Sequence, residues 1–342
     1  MPRPRRCDSS CSRWRRRFGD DAQGTLTTCS NLAQIYCKQG KYNDAEVLQL
    51  EVLKLQTRKC GESHPLTLLF ANNLSNTYAD QGKFDKAAAL MVKNLAVRKR
   101  VLGSDHPDTL ASGNNLAATY TDQGQPDKAA ELYTEALAAQ TRLLGEHHPS
   151  TLLTAGNLAA AYQEQGNFGD AEALRLKVLA GQKRVLGCEH PDTLLTANNL
   201  ACGYAAQGKH AQAVVLLRDT LVVCRRMLGD DHRQTIAFAS NLAATYSHQG
   251  KHAEAEKIML QVLMCRTRVL GDNHPHTLMA ATNLANGFTH TGRYAEAEAL
   301  LLKALAGLRL VLGCEHPVTI ATADSLVSCQ RFHAMQKALR PS

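Results

Sequence analysis

Polar and apolar positions alternate along this chain with a helical period, interrupted at regular places. Leu68, Ala71, Leu74, Ser75 and Tyr78 fall at i, i+3, i+6, i+7 and i+10, one face of an α-helix. His64-Pro65 opens that helix, since Pro suits a first helical position where no N–H is needed. Gln81-Gly82 closes it, because Gly takes the left-handed conformation that a helix end requires. A second helical stretch follows from about Asp85 to Val101, with Ala87, Leu90, Asn94, Leu95 and Arg98 along it, and Leu102-Gly103 ends it. The spacing predicts helices of roughly 15 and 17 residues joined by short loops, an antiparallel hairpin.

The whole hairpin recurs every 42 residues. The His column runs His64, His106, His148, His190, His232, His274 and His316, with Pro next in every copy except Arg233. The Asn column is Asn31, Asn73, Asn115, Asn157, Asn199, Asn241 and Asn283. A fixed period of this size marks a stacked array, because one hairpin cannot bury its own apolar stripe. The Leu column (Leu53, Leu95, Leu137, Leu179, Leu221, Leu263, Leu305) is expected to be the main core line, with Ala45, Ala87, Ala129, Ala171, Ala213, Ala255 and Ala297 letting helices approach closely.

The repeat sets the boundaries. Residues 20–315 are expected to form six hairpins, and 316–342 a capping helix and tail, with Ser325 and Gln330 where Asn and Tyr stand elsewhere. Residues 1–19 are Arg-rich and admit a mitochondrial transit peptide, a nuclear-import or anion-binding patch, or the remnant of a repeat helix. Register favours the last, since Trp14-Arg15-Arg16-Arg17-Phe18-Gly19 aligns with Cys224-Arg225-Arg226-Met227-Leu228-Gly229. That reading also raises a fragment of something longer.

Composition narrows the function class. Net charge is +8, but residues 1–19 hold seven Arg against one Asp, so the array is close to neutral and gives no electrostatic case for nucleic acid. No apolar run is long enough to span a membrane. The eleven cysteines are scattered without a C-x-x-C pair, which reads as reduced thiols and a cytoplasmic protein.

The string N-L-A-x-x-Y, then Q-G-x-x-x-x-A, then L, resembles the tetratricopeptide repeat. The longer form with G-x-x-H-P-x-T-L and N-N-L-A resembles the repeats of kinesin light chains. Two departures stand out: small residues such as Ala71 and Gly113 occupy the family's Trp position, and its closing Pro is absent. The resemblance implies an all-α, right-handed solenoid of stacked antiparallel hairpins, a superhelix whose concave face is lined by the first helices. It implies a protein-interaction scaffold or adaptor that binds extended peptides or partner helices there. Kinesin heavy chain enters as a partner through the resemblance alone, and no stretch here resembles the heptad coiled coil through which that family reaches its motor. Similar arrays follow nucleotide-binding domains in large signalling proteins, so a ligand-sensing region is the alternative, with RNA-binding repeats ranked below it.

The resemblance carries Asn73, Asn115, Asn157, Asn199 and Asn241 over as groove residues. A carboxamide holds both donor and acceptor, so it can pair with any peptide backbone; bonding to a neighbouring repeat is the structural alternative. The last residue of the first helix reads Asp80, Asp122 and Glu164, which fits a neutral or mildly basic ligand better than an acidic tail. The His column has no second ligand at short spacing, so its role is structural and no metal is expected. The Arg column (Arg58, Arg100, Arg142, Arg184, Arg226, Arg268) is expected to favour the helix dipole and to pair with loop acids such as Glu62, Asp105, Glu146, Glu189, Asp231 and Asp272. No catalytic constellation or cofactor motif appears, so no enzyme activity and no cofactor are expected.

Overall fold

The computed structural model describes residues 23–338, and the helix remnant read at Trp14–Gly19 lies outside them. Among the described residues there are fifteen helices and no strand: α1 Gln23–Lys38, α2 Tyr42–Cys60, α3 Pro65–Asp80, α4 Phe84–Leu102, α5 Pro107–Asp122, α6 Pro126–Leu144, α7 Pro149–Glu164, α8 Phe168–Val185, α9 Pro191–Ala206, α10 His210–Leu228, α11 Arg233–His248, α12 His252–Leu270, α13 Pro275–His290, α14 Tyr294–Leu312 and α15 Pro317–Ala338. The fold is all-α, a solenoid of helix hairpins. Seven hairpins precede α15, not six; the expectation undercounted because α1 and α2 already form a full pair. First helices run 16 residues and second helices mostly 19, each slightly longer than the apolar stripe that predicts it. The described chain falls into two compact units, divided between Leu174 and Arg175 within α8.

Every first helix from α3 onward starts on a histidine. The side chain of His64 accepts a hydrogen bond through Nδ1 from the backbone N–H of Leu66 at 3.2 Å, and the same bond joins His106 to Asp108 and His148 to Ser150. In the second unit His190, His232, His274 and His316 repeat it at the same distance. The column is therefore a set of N-caps that satisfy an orphan donor of the first turn. An accepting Nδ1 leaves the ring proton on Nε2.

The turn inside each hairpin is fixed by one glycine. Gly82 has φ +72°. Its N–H donates to Ala79 O and the next N–H, of Lys83, donates back to Tyr78 O, both at 2.8 Å. This pair of bonds turns the chain out of α3 and into α4, and a side chain at Gly82 would meet the left-handed penalty. The Lys83 ammonium then lies over the Tyr78 ring, 6.0 Å from its centre.

Packing is small-residue helix on helix. The Ala column, from Ala45 to Ala297, is between 0% and 2% exposed throughout. The Leu column is less uniform than expected, because Leu53, Leu137 and Leu263 are half-buried. In the first unit Ala117, Ala129, Tyr133, Leu158 and Ala161 form one core cluster; in the second, Leu217, Leu221, Phe238 and Leu242 lie at the centre of another.

Candidate functional site

The asparagine column divides. Asn73 donates its side-chain amide to Ser30 Oγ at 3.4 Å, and Asn241 donates to Asn198 Oδ1 at 3.0 Å. Both bonds reach 43 residues back, from one first helix to the preceding one. Asn115 and Asn157 stand half-buried and Asn199 exposed, and among the described residues their side-chain amides make no hydrogen bond. The local reason is visible at Asn114, which would be the acceptor for Asn157. It points forward instead and donates to Thr154 Oγ1 at 2.7 Å, while its own Oδ1 is buried without a partner.

Asp80, Asp122 and Glu164 are exposed at the ends of α3, α5 and α7. The last two bear on a common neighbour. Tyr133 of α6 is buried, and its phenol is pushed up to about 12 by that burial and then by the charges of Asp122 and Glu164. The next residue of each helix end is a tie rather than a ligand. Gln123 Nε2 donates to Asp85 Oδ1 and Gln165 Nε2 to Asp127 Oδ1, each at 2.9 Å, so these amides hold a first helix to the previous second helix.

The second unit has a different surface at the corresponding places. A depression of about 290 Å³ lies between α11 and α13, lined by Ser247, His248, Asn283, Asn286 and His290 above Met259 and Val262. His248 stacks on His210 at 5.7 Å and His290 on His252 at 5.4 Å. Arg266 reaches it from α12 and donates to His276 O at 2.7 Å; burial holds its guanidinium below the ordinary range. Asn286 and Arg266 escaped the sequence reading. Both stand in variable columns, Asn286 with Asn76, Ala118, Cys202 and Ala244, Arg266 with Gln56, Arg98, Gln140 and Cys224, and that variability was the available signal. A larger hollow of about 740 Å³ is walled by α10 and α12 over Ile236 and Ala239. Its cations are already paired, Arg225 with Asp230 at 2.9 Å and Arg268 with Asp231, so it offers no unmet charge.

The Arg column meets loop acids at Arg142, Arg226 and Arg268, whereas Arg100 donates to Ser63 Oγ because Glu62 is taken by Lys93. Arg142 pairs with Asp105 at 2.6 Å, and Arg226 with Glu189, each bond joining a second helix to the loop that ends the previous repeat. Every described cysteine is a free thiol, and no described helix is long and apolar enough to cross a membrane.

Comparison with known proteins agrees with this architecture. The chain matches the tetratricopeptide repeat family in seven overlapping stretches that run from residue 24 to residue 340. No curated protein matches it in sequence. Among solved structures it is similar to the nearly identical TPR-like repeats assigned to a kinesin light chain of Podosopora anserina, with 32% identity and a TM-score of 0.55 over 60% of this chain and 98% of that one. BtubC (BKLC) from P. vanneervenii is 20% identical, with a TM-score of 0.54 over 77% of this chain and 94% of that one, and shows the fold. A tetratricopeptide repeat protein from Parabacteroides merdae does the same at 16% identity and TM-score 0.59, over 89% of this chain and 98% of that one. With its 42-residue hairpins, its histidine-capped first helices and this match along nearly its whole described length, the chain belongs to the tetratricopeptide repeat family and is of the kinesin light chain type.

Proposed function

We propose that this chain is a non-catalytic adaptor that holds an extended peptide against the first helices of its hairpins. The observation that carries the reading is the state of Asn115 and Asn157. Each is half-buried, yet neither amide is used within the fold, whereas Asn73 and Asn241 of the same column are. A carboxamide in that state can donate to a peptide carbonyl and accept from a peptide N–H, which gives affinity without regard to sequence. Asp80, Asp122 and Glu164 then favour neutral or basic side chains near the first unit. In the second unit, Arg266 with Asn283 and Asn286 favours a polar or acidic one. The partner class this reading supports is peptide ligand in general.

The test is a peptide selected from a randomised display library against the full chain, followed by titration of the Asn115→Ala/Asn157→Ala double variant. Losing two hydrogen bonds worth about 1 kcal/mol each should weaken binding on the order of 30-fold. The melting temperature should stay within about 2 °C, because neither side-chain amide is bonded within the fold. Unchanged affinity with a lowered melting temperature would assign both residues to the fold.

A further inference from the structure

The last helix departs from the others at both its end and its face. At His333-Ala334, where other first helices meet Gln-Gly or, in α13, Thr291-Gly292, there is no glycine to turn the chain, and α15 runs on to Ala338 for 22 residues. The face that a second helix covers in other repeats is therefore open. Leu278 of α13 shows that coverage: it is 4% exposed, and a methyl group added at Gly307 of α14 would lie 2.8 Å from it. Its counterpart one repeat later, Ile320, is 50% exposed. Ala285 of α13 is 0% exposed, and its counterpart Val327 is 45% exposed.

Apolar side chains thus persist on α15 where, among the described residues, no second helix covers them. The stripe reads Ile320, Asp324, Val327, Arg331, Met335, at steps of four, three, four and four, the spacing of a helix–helix seam. Among the described residues neither Asp324 nor Arg331 has an ion-pair partner.

We propose that this stripe is a self-association surface that pairs antiparallel with α15 of a second copy. The charges choose that occupant. A two-fold axis midway between Val327 and Ser328 sets Ile320 opposite Met335 and Asp324 opposite Arg331, twice over, with valine at the centre. Such a contact is isologous and closes at two copies. It does not depend on the peptide-binding reading, which concerns other helices.

Sedimentation equilibrium on the full 37.3 kDa chain tests it. The wild type should move from monomer toward twice that mass at micromolar concentrations, as a contact at the small end of specific interfaces does. Asp324→Arg alone and Arg331→Asp alone should each remain monomeric, because each places like charges opposite one another. An equimolar mixture of the two variants should restore the dimer, and both positions are exposed, so that recovery also reports that each variant is folded. A wild type that is monomeric up to about 100 µM overturns the proposal and leaves the stripe for a foreign helix. A dimer that survives either single reversal overturns it as well, by moving the contact elsewhere.

Discussion

Asn241 gives its side-chain amide to Asn198 Oδ1, 3.0 Å away on the preceding first helix. Asn198 is buried, so its carbonyl has exchanged water for that single donor. Asn241→Ala should therefore leave a buried acceptor unmet and cost about 1–2 kcal/mol. Asn115→Ala breaks no bond within the fold and should cost less than about 0.5 kcal/mol. Urea denaturation followed by helical circular dichroism separates the two, and equal losses would show that Asn115 also serves the fold.

The histidine caps predict a graded series at one position. His148→Ala removes the acceptor of the Ser150 N–H and should destabilise by about 1 kcal/mol. His148→Asn supplies another oxygen at the N-cap and should recover most of that. If Asn were no better than Ala, the imidazole would be acting through packing instead of as a cap.

Tyr133 predicts an alkaline limit. Its phenol is held neutral in the fold, up to about 12, against an ordinary value of 10.0. A raised acid stabilises the fold fully below the unfolded value and loses that contribution as pH climbs through the folded one. Stability should fall between pH 10 and about 12, by about 1.4 kcal/mol per unit from this group. Absorbance titration at the phenolate band should show one tyrosine titrating late in wild type and missing in Tyr133→Phe.

Packing and surface charge should differ sharply in cost. Ala129 lies in the fully buried alanine column, so Ala129→Leu should overpack the hairpin by about 1–3 kcal/mol. The Arg142–Asp105 pair is more than half exposed on both sides, so Arg142→Ala should cost less than about 1 kcal/mol, and less again in high salt. Thermal denaturation of the two variants at low and high salt gives the comparison.

Much of this protein was legible from local pattern. The 42-residue period, the His-Pro that opens all but one of the capped helices and the glycine column that closes them named the hairpins, because helix limits depend on residues within a turn or two. Histidine's structural role was legible for the same reason, since the bond spans two residues; that Nδ1 is the cap needed the coordinates. The Leu column was over-read: Leu53, Leu137 and Leu263 keep part of their surface, while the alanines beside them set the helix spacing.

The asparagines mark the limit. Asn115 and Asn241 share a column and close neighbours in sequence, Leu-Ala-Ala on one side of each, yet one amide is unused and the other is consumed. Even the residue 43 positions earlier is the same, Asn72 for one and Asn198 for the other; what differs is that Asn198 Oδ1 accepts from Asn241 while no such bond joins Asn115 to Asn72. The chain alone determined where helices begin, turn and repeat, because those terms are settled by backbone sterics and hydrogen bonds a few residues apart. The tertiary structure alone decided which amides are spent across repeats and which apolar face of α15 is uncovered, because both depend on groups brought together from more than thirty residues away.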